Sequence, residues 1–377
     1  MELVMTKIEL SKSERLVLEI IRRSQISTRI EIAKILGFST VQATKLTKGL
    51  LEKKLILENV TPSGARGQPT KNISLNPDGL YAIGVSFTAE HIEIGLVNWL
   101  GIIKSNTTVK LKKMHSLEAL CHSIEEFVEN AIKNHRLAKR KLCGIGISLP
   151  GDFLKGRRKI NAVYFPEMED VDLLDAFSSR LHYPVFFEND ATSATWGEFV
   201  AGAGRKLNHF LFIHIGHGIG GGVIIDRRIY RGTNGNAGAF GAPFPDLSKA
   251  RPSGTDLLKH LQEAGEKTDD FVDLRTLTIE GCAPLETWIN NASQQLIKPL
   301  TVLARAFDPD AVIIGGRLPI HLLEAIAKGV NTEAFCQADR NRLPVPDILV
   351  TELGDLGGVI GAASLCLENI VFADKTI

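Results

Sequence analysis

One segment constrains the fold of this chain more than any other. From Ile213 to Asp226 an apolar strand runs into a glycine cluster and leaves it directly through a second β-branched run. The glycines match G-x-G-x-x-G at Gly216, Gly218 and Gly221. A dinucleotide-binding turn of that spacing needs a helix after the glycines and an acidic residue about twenty positions later. Here Val223-Ile224-Ile225 follows and reads as a strand, so the glycines are expected to cap a hairpin. Lacking a Cβ, they would let backbone N–H groups approach a phosphate or a sugar closely. Upstream, Val185-Phe186-Phe187 reads as a strand that ends in Glu188-Asn189-Asp190. A carboxylate at that place can take a hydroxyl proton, accept a hydrogen bond from a sugar, or cap the helix expected from Ala191.

The 377 residues allow two or three domains and a large core. No apolar run reaches the roughly 18 to 20 residues that span a bilayer. The first residues, Met1 to Val4, lack the basic and apolar segments of a secretory signal. Cys121, Cys143, Cys282, Cys336 and Cys366 lie far apart and none forms a C-x-x-C pair. That spacing argues against a disulfide framework and a structural metal, and a reducing cytoplasm is the expected compartment. Charge is uneven: residues 1 to 75 hold 13 Lys/Arg against 7 Asp/Glu, a balance of +6 within a chain of net charge +1. A basic end on a mildly acidic body suits a polyanionic partner; a solvated basic face would look the same.

The basic end has a readable order. Leu16, Val17, Ile20 and Ile21 fall at helical spacing after Ser11 and Ser13, either of which can cap. Thr28 can cap a second helix carrying Ile30, Ile32, Ala33 and Leu36, which Gly37-Phe38 breaks. Ser39 caps a third that runs to about Lys53, with Ala43, Leu46 and Leu50 inward. Thr40, Gln42, Thr44, Lys45 and Lys48 are left facing outward. Two short helices joined at a glycine turn form a helix-turn-helix, whose second helix enters the major groove. Strands at Leu55-Ile56-Leu57 and Ile73-Ser74-Leu75 then flank a Gly/Pro-rich tip that carries Arg66. They read as a wing, with Arg66 able to reach phosphates or a narrow minor groove. A plain three-helix dimerisation module is the competing reading.

Asn76-Pro77-Asp78-Gly79 is a turn cluster that divides residues 1–76 from 77–377. Beyond it strand and helix patterns alternate, as in α/β layers. Tyr81–Ser86 and Ile92–Val97 read as an opening hairpin, Leu117–Lys133 as a helix capped by Ser116, and Leu142–Ile147 as a buried strand running into Ser148-Leu149-Pro150-Gly151. A second hairpin starts near Phe210, and Ala311-Val312-Ile313-Ile314 is a later strand ending in Gly315-Gly316.

The glycine hairpin, the Tyr230-Arg231-Gly232 that follows it and Glu188-Asn189-Asp190-Ala191 together resemble the ROK family of sugar kinases and sugar-responsive repressors. The likeness extends over almost the whole chain. It implies an α/β fold with two actin-like ATPase lobes around a cleft, and in the repressor branch a winged helix-turn-helix before them. It also implies Asp190 as the catalytic base of the kinases and Gly315-Gly316 as the adenine-side turn. That branch often carries Gly-Arg-Pro at the wing, whereas this chain has Arg66-Gly67-Gln68-Pro69.

The departures decide what such a body does. Where the family's first phosphate motif has Asp-x-Gly-Gly-Thr, this chain has Ser86-Phe87-Thr88-Ala89-Glu90. The metal-supporting carboxylate becomes Ser86, and Thr88 and Ala89 replace the glycines. His217 replaces a threonine of the second motif. Gly-Glu-φ-Gly-His, whose Glu and His grip sugar hydroxyls, becomes Gly238-Ala239-Phe240-Gly241-Ala242. That histidine also binds zinc with downstream cysteines, and residues 243 to 252 contain none. Each lost sugar contact costs about 1–3 kcal/mol, so efficient kinase activity, a resident cofactor and a bound metal are not expected. Gly151, Asn161, Asn189, Asp190 and His217 are the candidate ligand residues, and Arg251 and Ser253 can replace lost contacts.

The expected function is therefore a DNA-binding transcriptional regulator, a repressor of carbohydrate genes. Its partners would be double-stranded operator DNA, a sugar or sugar-derived effector, and further copies of itself in a homodimer or tetramer, with no membrane. A sugar kinase with a regulatory DNA-binding domain, and a ligand-independent regulator whose body only oligomerises, are the rivals.

Overall fold

The computed structural model describes residues 9–61, 70–111, 116–154, 159–161, 165, 168–169, 171–246, 249–332, 335 and 344–372. Three helices open the chain: α1 (Lys12–Ser24), α2 (Arg29–Leu36) and α3 (Thr40–Glu52). Ser11 and Thr28 start the first two through reciprocal capping boxes with Glu14 and Glu31, which satisfy N–H groups that a helix start leaves open. Gly37, at φ +66°, closes α2 in the left-handed conformation, and the Ser39 hydroxyl accepts from the Gln42 amide to start α3.

The buried positions of α3 are Ala43, Thr47 and Leu50, while Leu46 is only half-buried. Leu46 still packs against the core, as its spacing predicts, and Thr47 joins the inner face beside it. Its hydroxyl donates to the Ala43 carbonyl at 2.8 Å and accepts from Arg29 Nε at 2.9 Å, so burial leaves no polar atom unmatched. Ile30 on α2 faces solvent. A short β1 (Ile26–Ser27), β2 (Ile56–Thr61) and β3 (Thr70–Leu75) form the wing sheet in the order β1-β3-β2.

Two five-stranded sheets follow. The first contains β4 (Tyr81–Phe87), β5 (His91–Asn98), β6 (Ile103–Lys110), β7 (Leu142–Leu149) and β8 (Val185–Asn189) in the order β6-β5-β4-β7-β8. The second contains β9 (Phe210–Ile215), β10 (Ile219–Ile225), β11 (Arg228–Ile229), β12 (Ala311–Gly316) and β13 (Asp347–Val350) in the order β11-β10-β9-β12-β13. Counted along the chain, both orders are 3-2-1-4-5. Short turns make the first three strands of each antiparallel. The crossovers through α4 (Leu117–Asn134) and α5 (Leu173–Ser178) in one sheet, and α7 (Gly254–Glu263), α8 (Ala283–Phe307) and α9 (Ile320–Val330) in the other, make the later strands parallel. The duplication that the motifs only implied is thus a repeated topology.

The glycines of the second hairpin sit differently from expectation. Gly216-His217-Gly218 forms the turn, while Gly220, Gly221 and Gly222 lie inside β10. A Cβ on Gly222 would strike the Thr195 side chain, so this strand is glycine-rich to let the helix carrying Thr195 pack directly upon it.

That helix, α6 (Asp190–Ala201), leaves the first sheet and packs on β9 and β10 of the second. Conversely α10 (Gly357–Leu367) leaves the second sheet and lies on β4, β5 and β7 of the first. A Cβ on Gly84 or Gly146 would run into the Val359 or Ala362 carbonyl, so small residues permit the close approach. Each lobe therefore carries the helix that the other lobe's sheet supplies. The continuous helical stretch Gly354–Phe372 is 19 residues long with mean hydropathy 1.4, long and apolar enough to cross a membrane. This corrects the expectation that no such run exists. Its apolar character has a local cause, since all but one of the α10 residues are buried between the first sheet and α6.

Side chains of α1, α3 and the wing share one core with Leu80, Ala82, Val97 and Trp99 of the first lobe and Cys366, Leu367 and Val371 of the C-terminal helix. Apolar packing thus runs unbroken across the turn at Asn76–Pro77.

Candidate functional site

The lobes enclose a cleft of about 550 Å3, within the range of small-molecule sites. Gly151, Asn189, Asp190 and His217 all line it, as do Ala239, Ala242 and Arg251. The exposed Asn161 is not among its lining residues. Its backbone amide donates to the Asp152 carbonyl at 2.8 Å, and its own carbonyl fills the space where a Cβ on Gly151 would lie. Asn161 thus shapes the cleft wall through its backbone. Ser253 is fully buried and caps α7, its hydroxyl accepting from the Asp256 amide at 3.4 Å.

Asn189, not Asp190, is the cap of α6. Its Oδ1 accepts from the Thr192 amide at 3.1 Å and its Nδ2 donates to the Gly151 carbonyl at 3.0 Å. One amide side chain therefore starts the helix and pins the Pro150-Gly151 turn. Asp190 is the first helical residue, and its Oδ1 accepts from the Ala191 amide at 2.8 Å. Burial pushes its carboxyl up to about 6, against the pull of that amide and of the Arg317 charge. A carboxyl that titrates near neutrality and opens to a cleft has the character of a proton acceptor.

The motif's remaining acid is spent on structure. Glu188, 3% exposed, pairs with Arg231 at 2.7 Å, which ties the end of β8 to the segment after β11. Asn236 makes a second tie, its side chain accepting from the Phe153 amide and donating to the Phe153 carbonyl, both at 2.8 Å.

Sequence reasoning missed the strongest electrostatic element. Arg317 leaves the Gly315-Gly316 turn and reaches across to β5, where its guanidinium meets Glu93 at 2.7 Å and His91 Nε2 at 3.1 Å. Burial alone would raise the Glu93 carboxyl, but the His91 hydrogen bond and the Arg317 charge hold it below its ordinary value. Gly316, at φ +126°, lets the turn aim Arg317 inward, and a Cβ there would meet the Ile215 backbone. A charged residue directly after two glycines at a strand end was the available signal. Its partner, in the other lobe, could not be read from spacing.

The two hairpin turns approach each other directly. His217 Nε2 lies 3.9 Å from Glu90 Oε1, and its ring packs on Phe271 at 4.7 Å between centroids. Burial, then the Arg317 charge, lowers His217 to about 4 and His214 to about 3, so both imidazoles are neutral at pH 7. Glu90 is pushed up by burial and by Asp270 beside it. The Thr88 hydroxyl accepts from the Glu90 and His91 amides at 3.2 and 3.0 Å and donates to the His91 carbonyl. Ser86 is 2% exposed in β4. Between these turns, where the resemblance assigns ATP phosphates, stand a carboxylate pair, a neutral imidazole and the Thr88 hydroxyl, already engaged. These residues do not fit a triphosphate and its metal. Among the described residues no group of three His, Cys, Asp or Glu is placed to hold a metal ion. The His214 Nδ1 is a buried polar atom of the cleft with no hydrogen-bond partner among the described residues.

In the N-terminal unit Thr40, Gln42, Thr44, Lys45 and Lys48 are all exposed on α3, and Val41 beside them is 77% exposed. The Thr44 hydroxyl turns back to the Thr40 carbonyl at 2.7 Å, which leaves its methyl outward. Arg66 lies outside the described residues.

A ROK family model matches residues 82–369, and the chain belongs to that family. It is 34% identical to protein y4fQ of Sinorhizobium fredii over 94% of this chain and 90% of that one. It is 25% identical to the xylose repressor of Bacillus spizizenii over 94% of each chain. The glucokinase of Streptomyces coelicolor is 28% identical but aligns with 76% of this chain and 97% of its own. Among solved structures, a ROK family transcriptional regulator homologous to the E. coli MLC protein superposes with a TM-score of 0.72 at 20% identity, covering 95% of this chain and 96% of that one. The fold is the winged helix-turn-helix with a two-lobed ROK body.

Proposed function

We propose that the protein is a sugar-responsive transcriptional repressor whose kinase-like body senses rather than phosphorylates. Residues 1–76 read operator DNA. Thr40, Gln42, Thr44 and Lys45, at the start of α3, face base edges, while Lys48 and Arg66 meet phosphates. The protein acts in the cytoplasm as a homodimer or higher oligomer on related half-sites. A sugar or sugar derivative enters the cleft at Asp190, with Asn189 and Gly151 fixing the wall around it and His217 at its edge.

One observation carries this reading. The helical stretch that begins beside the second lobe at Gly354 crosses the first lobe and ends on α1. There Arg15 donates to the Ile370 carbonyl at 3.1 Å and to that of Val371, and Arg22 pairs with Glu368 at 2.8 Å. A change of lobe angle would therefore move a rod attached to the DNA-reading helices. For a ligand to shift the equilibrium it must bind the two lobe arrangements unequally. The unfavourable phosphate site and the alanines at 239 and 242 support the absence of kinase activity.

The test is a titration of the purified protein against its own upstream intergenic DNA, at fixed salt, beside a scrambled duplex and with a carbohydrate panel. Specific binding released by one sugar is the expected result. Specific binding indifferent to every sugar would favour a body that only oligomerises, a reading to which the two alanines at the cleft also lend weight. Sugar-dependent ATP consumption that disappears in Asp190→Asn would instead establish a kinase.

A further inference from the structure

A second cavity, of about 580 Å3, shares no lining residue with the cleft and lies at the junction of the N-terminal unit with both lobes. Arg22 and Arg23 come from α1, Leu57 from the wing, Trp99 from the turn after β5, and Arg205 and Arg227 from the second lobe. Four arginines line it, with no Asp or Glu among the lining residues. Three of the four are matched by carboxylates set behind the wall. Arg22 pairs with Glu19 and Glu368, Arg23 with Glu19, and Arg205 with Glu352. Arg227 is not. Its guanidinium donates to the Arg205 and Leu207 carbonyls and lies 4.9 Å over the Phe199 ring, and no carboxylate among the described residues pairs with it. Burial, then Arg23 and Arg22 nearby, disfavours its charged form. The cavity thus holds a guanidinium with no carboxylate paired to it among the described residues, on an apolar floor formed by Leu57, Trp99 and Phe199.

We infer that this cavity binds an amphipathic organic anion, an apolar or aromatic body bearing a carboxylate or phosphate head. The head accepts hydrogen bonds from Arg227 and Arg23, whose planar donors match such oxygens in pairs, and the body lies on Trp99 and Phe199. A neutral sugar would leave Arg227 without an anionic partner. Such an anion would touch α1, the wing and both lobes at once, giving the DNA-reading unit an input separate from the cleft.

The test needs no operator and is independent of the sugar-sensor reading. The full-length protein is titrated with 8-anilinonaphthalene-1-sulfonate and with N-phenyl-1-naphthylamine, the same ring body with and without an anionic head. One sulfonate probe per chain is expected, held about tenfold more tightly than the neutral probe. Arg227→Gln should weaken it several-fold, and so should Arg23→Gln, at a position exposed enough to leave folding intact. Asp190→Asn, in the cleft, should leave it unchanged. Benzoate and phenyl phosphate are then competed against the probe, and the stronger competitor identifies the head group. Equal affinity for the two probes, wild-type binding in both arginine variants, or displacement by neither competitor would overturn the inference.

Discussion

Asp190→Asn is expected to make the protein more stable while removing its ligand response. Burial lifts the Asp190 carboxyl from an ordinary 3.8 to about 6, and this net shift already includes the favourable Ala191 amide and Arg317 charge. The sign follows from linkage. The folded state holds this proton more tightly than the unfolded chain, so stability falls as pH rises from near 3.8 to near 6 and stays reduced above that. A shift of about two units corresponds to roughly 3 kcal/mol at neutral pH. Asparagine keeps an oxygen to accept from Ala191 but carries no charge to desolvate, so it escapes the penalty. With an unfolding entropy of about 2.1 cal/mol/K per residue, that energy is roughly 4 °C in Tm if the chain unfolds as one unit. Thermal unfolding of both proteins at pH 7.5 and pH 4.5 should show the variant ahead at the higher pH and the gap cut to roughly a third at the lower one. A variant less stable than wild type at pH 7.5 would mean that the Arg317 attraction outweighs desolvation, and the reasoning would fail.

Three further outcomes follow from particular contacts. Arg317→Met should destabilise by about 3–5 kcal/mol, because Glu93 is left buried without its partner. Combining it with Glu93→Leu should recover most of that in urea titrations, and an additive double variant would contradict a direct pairing. Lys48→Ala should weaken operator binding similarly for all sequences and lower the slope of log K against log salt by about 1, whereas Gln42→Ala should relax sequence preference at one position. Gly146→Val would force a side chain into the Ala362 carbonyl. Overpacking of this kind costs about 1–3 kcal/mol or more, and loss of soluble folded protein or a lowered Tm is the expected reading.

What the sequence determined by itself is local. Caps at Ser11, Thr28, Ser39 and Ser116 sit where short-range hydrogen bonds require them. The opening hairpins and the winged helix-turn-helix order were likewise legible, because each depends on neighbours a few positions away, whereas the departures at Ser86, Thr88, Ala89, Ala239 and Ala242 could be read only against the ROK motifs the chain resembles. Periodicity placed Leu46 against the core but could not add Thr47 to the same face, since that depended on Arg29 reaching its hydroxyl from another helix. Nor could it give Asn189 the cap and leave Asp190 to the cleft, as adjacent residues carry equivalent local signals.

Tertiary structure alone decided the pairings between distant segments. Arg317 with Glu93, Arg231 with Glu188 and Arg22 with Glu368 join positions 224, 43 and 346 residues apart. Nothing in one stretch of chain encodes such a partner, because each pair meets only after two sheets of the same topology exchange their terminal helices. That exchange also explains why the most apolar of the described helices is a buried rod: its surface is covered by a sheet to which its own strand does not belong.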